Sequence, residues 1–213
     1  MAFIGIEGGV RYLSAARLIP LSSHDVYYLY PIKALTVALL LIYFRKQYTE
    51  LSFSDLKRPA DTILSCITGI VVYVLWVRMD WTFSGSATPP GFNPTLLPEQ
   101  GIQVAMTFFR VFGAVLVVPI MEELFWRSFL IRYMIDNRFE AVAIGTFTLS
   151  SFLISSLLFG LEHHYILAGI MAGAAYNLLL YRTRSIAHCI CAHAVTNLAL
   201  AIHTITTRSW NFW

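Results

Sequence analysis

The stretch at residues 117–133 reads VVPIMEELFWRSFLIRY, and it decides what kind of chain this is. Glu122, Glu123 and Arg127 stand in a run otherwise fit for the hydrocarbon of a bilayer. An ionisable side chain at mid-membrane costs about 2.5–3.5 kcal/mol on insertion scales, so adjacent carboxylates there demand a reason. Helix geometry separates the two. Glu123 and Arg127 are four residues apart and share a face, with the carboxylate N-terminal to the guanidinium, the favoured order. Glu122 is turned about 100° away and needs a partner from elsewhere. A buried ion pair locking two helices together accounts for Glu123 and Arg127 but leaves Glu122 unanswered.

The rest of the chain supports a membrane setting for this run. Of 213 residues, 57% are hydrophobic and only 13% charged, and the mean hydropathy is +0.65. Soluble domains carry about 25% charged residues. The length suits one integral membrane domain spanning 1–213. The net charge of +3 is small, and Lys and Arg lie in short connections, so no nucleic-acid partner is implied. Cys66, Cys189 and Cys191 are odd in number and lie in apolar runs, which suggests no disulfide framework. The first twenty residues, MAFIGIEGGVRYLSAARLIP, have Glu7 and no basic head before their apolar part. They read as an interfacial segment with Arg11 and Arg17 at the headgroups rather than a cleavable signal.

A spanning helix needs roughly 20 apolar residues. The sequence offers about six candidates, near 26–44, 62–79, 103–131, 141–163, 165–181 and 185–206. The expected fold is therefore all-α, a polytopic transmembrane helix bundle. The connection 78–101 contains GSATPPGFNPTLLPEQG, whose Pro and Gly density excludes a helix. Its Trp81 and Phe92 suit an interfacial aromatic belt or the cap of a cavity mouth. Basic residues concentrate at 45–61, 132–140 and 182–188, which predicts those connections on the cytoplasmic side and both termini outside.

Two further polar groups interrupt apolar runs. LLFGLEHH (157–164) brings Glu162, His163 and His164, and HAVTN (193–197) puts His193 and Asn197 four apart on one face. Alone, each reads readily as interhelical hydrogen bonding. Three such groups on three helices of one small bundle make independent packing roles harder to sustain. Depth along the helices, at about 1.5 Å per residue, allows them to meet.

EELFWR, FGLEH and HAVTN resemble, in order, the EExxxR, FxxxH and HxxxN motifs of the CPBP intramembrane proteases. That family holds the type II CAAX prenyl endopeptidases and bacteriocin-processing proteins. The resemblance covers roughly 103–200. WVRMDW followed by GFNP resembles the branch called CAAX prenyl protease-related, found beside exosortase systems in bacteria. Ser128 stands where a glycine often follows the motif arginine.

The resemblance implies a glutamate-dependent, metal-free endopeptidase of the bacterial plasma membrane that needs no cofactor and acts on a membrane-associated peptide or protein. It implies Glu122 as general base and His163 as its partner in activating water. It implies His193 and Asn197 as donors to the oxyanion, and Glu123 and Arg127 as supports. A carboxylate in an apolar wall suits a base. Three other readings stand beside it: a zinc protease using Glu122, His163 and His193, a non-enzymatic immunity or scaffold protein, and a proton-coupled carrier.

Overall fold

The computed structural model describes residues 25–80 and 91–213, together with Gly9, and every regular element among them is helical. Trp81, Arg11 and Arg17 fall outside the described residues. Six main helices follow one another: α1 (Leu29–Tyr43), α2 (Pro59–Trp76), α3 (Gln100–Tyr133), α4 (Leu149–Leu161), α5 (Ile166–Thr183) and α6 (Ile186–Thr207). The helices at Val26–Tyr43, Pro59–Trp76, Gln100–Tyr133 and Ile186–Thr207 are long and apolar enough to cross a membrane. The protein is a polytopic helical membrane protein.

The fourth apolar run is a shorter helix than its hydropathy suggests. Gly145, at φ +79°, takes a left-handed turn that other residues resist. Thr148 then caps α4, its hydroxyl oxygen accepting the Ser151 N–H at 3.2 Å. The helix therefore starts at Leu149, and its 13 residues end at Leu161. His163 follows in the tight turn between α4 and α5.

The rod α3 is irregular where its polar residues lie. It is π-wound over Gly113–Val117 and again over Leu124–Leu130, with an α-helical step at Val118–Glu123 between them. Pro119 helps to explain the first. In a π-turn the Ala114 carbonyl looks for the N–H of residue 119, and proline has none. Asn197 of α6 fills that gap, its Nδ2 donating to the Ala114 oxygen at 2.7 Å.

Burial sets α6 at the centre. Half of its apolar window is buried, against 17% for the windows of α1, α2 and α3. Outward faces are apolar instead, with Leu39, Ile63, Val104, Leu153 and Ile202 all exposed, as lipid-facing positions require. Small residues bring the inner helices close. A Cβ on Gly69 of α2 would come within 2.5 Å of the Ala192 oxygen on α6. One on Gly169 of α5 would lie 2.8 Å from the Gly160 Cα of α4.

The three basic connections gather at one end of the bundle. Arg58 donates to the Thr183 carbonyl at 3.2 Å, Arg182 approaches Asp61 at 3.9 Å, and Arg132 pairs with Glu50 at 3.4 Å. At the other end Phe92 packs against Tyr27 and Trp213.

Candidate active site

Glu123 is fully buried in the bundle. Its side chain is 0% exposed and that of Arg127 is 1%. The two meet twice, at 3.2 Å from Arg127 Nη1 to Oε1 and 3.2 Å from Nε to Oε2. Arg127 also donates to the Gly173 carbonyl of α5 at 3.3 Å. Its guanidinium lies 4.5 Å over the Phe159 ring and 5.3 Å over that of Tyr176. The i, i+4 pairing thus survives the π-winding around it.

The same carboxylate has a second task that spacing did not indicate. His193 Nδ1 donates to Glu123 Oε1 at 2.8 Å. This fixes the ring and turns Nε2 away from Glu123. Tyr176 stacks on that ring at 5.1 Å, and its hydroxyl donates to Thr196 at 2.7 Å. Glu123 therefore couples α3, through Arg127 and His193, to both α5 and α6.

His163 is oriented in a comparable way by a different acceptor. Its Nδ1 donates to the Phe159 carbonyl at 2.7 Å, so Nε2 is the nitrogen left for other work. Trp76 of α2 sits edge-on to the ring at 5.2 Å. Phe159 accordingly serves twice, as a surface for Arg127 and as an anchor for His163. Glu162 and His164, its neighbours in sequence, are exposed.

Glu122 has no such partner. It lines a cavity of about 270 Å³ together with His163, His193 and Asn197. Its Oε2 is buried and makes no hydrogen bond. A buried carboxylate oxygen without a donor costs free energy that folding has no reason to spend. The cavity offers what such an oxygen needs, namely room for a water or substrate atom beside two oriented imidazoles.

Asn197 also lines the cavity, but one amide N–H is committed to Ala114, leaving the other. Cys189 is buried against the Tyr176 carbonyl, and neither it nor Cys191 lines the cavity. Among the described residues, no three His, Cys, Asp or Glu side chains converge as a metal-ligand set. Tyr176, Trp76, Lys33 and Arg110 line the cavity as well, and of these only Arg110 stands out in the sequence, as a charge deep in an apolar run suited to snorkelling or to contact with substrate. Their partners lie on other helices, where periodicity carries no information.

Residues 104–199 match the family described as Type II CAAX prenyl endopeptidase Rce1-like. The match takes in the motif-bearing core and is a similarity over that region. The matched region runs from α3 to α6 and contains Glu122, Glu123, Arg127, His163, His193 and Asn197. No curated protein and no solved structure matches the chain. The similarity to a family of endopeptidases thus falls on the helices α3 to α6 that line the cavity. Helices α1 and α2, which lie before the matched region, supply Lys33 and Trp76 to the cavity.

Proposed function

We propose that the chain is an intramembrane glutamate-dependent endopeptidase acting on a membrane-associated peptide or protein. The observation that carries this is Glu122, a buried carboxylate without a hydrogen-bond partner at Oε2, in a cavity shared with His163 and His193. A water held between Glu122 and His163 Nε2 loses a proton to the carboxylate as its oxygen attacks the peptide carbonyl carbon. The oxyanion that forms accepts from His193 Nε2–H, the ring being protonated at both nitrogens, and from the second Nδ2–H of Asn197. Such donors are worth about 3–4 kcal/mol each in other hydrolases. The intermediate then collapses and breaks the C–N bond. Glu122 passes its proton to the departing nitrogen, which leaves a carboxylic acid and an amine.

Glu123 does not react in this scheme. It positions His193 and neutralises Arg127. The hydrophobic lining provided by Trp76, Val117 and Leu200 suits an apolar or lipidated segment of substrate. Water must reach a site with such walls in small numbers, which protects the products from side reactions.

The test compares purified chain with its Glu122→Gln variant on membrane-anchored peptides, prenylated and unprenylated, with and without chelator. Cleavage that resists chelator and falls by about 10²–10⁴-fold in Glu122→Gln is the expected result. Cleavage lost to chelator and restored by zinc would transfer the chemistry to a metal. Absence of cleavage for every peptide would return the buried carboxylate to a proton carrier or a scaffold.

A further inference from the structure

The cavity has a cationic side that the chemistry at Glu122 leaves unused. Arg110 of α3 and Lys33 of α1 line the same space as Glu122. Neither forms an ion pair among the described residues. The Arg110 guanidinium is held over the Tyr30 ring at 4.6 Å and the Phe92 ring at 5.7 Å. Its Nε is buried without an acceptor. An arginine that snorkels keeps its head in water or among lipid headgroups. This one is clamped between aromatic rings with a donor facing no partner. Leaving such a donor unanswered is costly, and an anion that enters the cavity removes the cost.

The guanidinium geometry favours a carboxylate, whose two oxygens match its planar fork of N–H groups. Distance fixes where that carboxylate belongs. Arg110 and Glu122 lie twelve positions apart on one continuous helix, or about 18 Å along its axis. An extended peptide advances about 3.3–3.6 Å per residue, so roughly five residues bridge the two groups. That separation also keeps the incoming carboxylate clear of Glu122.

We propose that Arg110, with Lys33 on the same cavity, forms a specificity subsite for a substrate carboxylate about five residues from the scissile bond. The proposal rests on Glu122 being the cutting centre. It makes Arg110 a group that touches substrate without taking part in bond cleavage.

The test measures binding without cleavage. The full chain carrying Glu122→Gln, in phosphatidylcholine nanodiscs, is titrated with an apolar peptide of about six residues, as free acid and as C-terminal amide. Trp76 and Trp213 line the cavity, so tryptophan fluorescence reports occupancy. The free acid should bind about tenfold more tightly, as a charge-assisted hydrogen bond requires. Adding Arg110→Gln should level the two peptides, and adding Arg110→Lys should retain part of the preference. Equal affinities in the Arg110 chain, or binding of neither peptide, would overturn the proposal. So would selective retention of phosphatidylglycerol that depends on Arg110 without any preference between peptides, which would give the cations to a lipid headgroup. Loss of the preference leaves hydrolysis at Glu122 standing, and loss of hydrolysis leaves the preference measurable.

Discussion

Where residues 45–61, 132–140 and 182–188 meet, the buried and half-buried charges of Asp61, Arg132 and Glu50 are paired. Arg58 lies 3.0 Å from Asp61, and Arg132 pairs with Glu50 while donating to the Ser128 hydroxyl at 2.9 Å. Within the cavity, Glu122 leaves an oxygen without a donor, and Arg110 leaves a nitrogen without an acceptor. Both regions are built from the same residue types in the same small bundle. The first resembles a structural joint, in which Arg58, Asp61, Arg132 and Glu50 answer one another across the connections. The second keeps its polar groups unsatisfied and opposite in sign, the state expected of a site that awaits a ligand.

Adjacent carboxylates sharpen this contrast most severely. Glu123→Ala strands Arg127 and His193 in the interior, and removing one member of a buried ion pair costs about 3–5 kcal/mol. Thermal unfolding in detergent should show that loss, whereas Glu122→Gln should unfold no earlier than the parent chain. If the two variants unfold together, the division between a structural and a reactive glutamate collapses. A smaller effect is expected at Gly169. An added methyl there meets the Gly160 Cα at 2.8 Å and the His163 Cβ at 3.3 Å. Gly169→Ala should cost about 1–3 kcal/mol through overpacking, and the displaced His163 should lower turnover along with stability. Least of all is Ser128→Gly, at the matched end. It removes a hydroxyl that donates to Glu50 and accepts from Arg132, which is worth about 1 kcal/mol of stability. Cleavage should be unchanged, and a fall in turnover would mean that the two ends are coupled.

Local features were legible in the sequence, and distant ones were not. Glu123 and Arg127 could be paired from their spacing because both lie on one helix. His193 and Asn197 share a face for the same reason, but no spacing reveals that His193 bonds to Glu123, seventy residues earlier. Apolar runs located six helices, because hydrophobic length is a property of each segment alone. The late start of α4 had visible signals in Gly145 and Thr148, which the apolar count over 141–163 outweighed. Of the two π-turns, Pro119 marks the first, while the second has no comparable residue. Arg110 was conspicuous as a charge in an apolar run, but its clamp comes from Tyr30 on α1 and Phe92 in a connection.

The π-turn at Gly113–Val117 gives α3 some slack in its winding. One residue more than an α-turn holds is stored there, so deleting one lets the coil close into ordinary α-helix with the flanking segments still in phase. Deleting one within Val118–Met121 has no such reserve and swings Arg110 and Glu122 about 100° out of alignment. Neighbouring deletions of equal length should therefore differ sharply in what they leave intact. The helix is a vernier, and the first π-turn is where it can be reset.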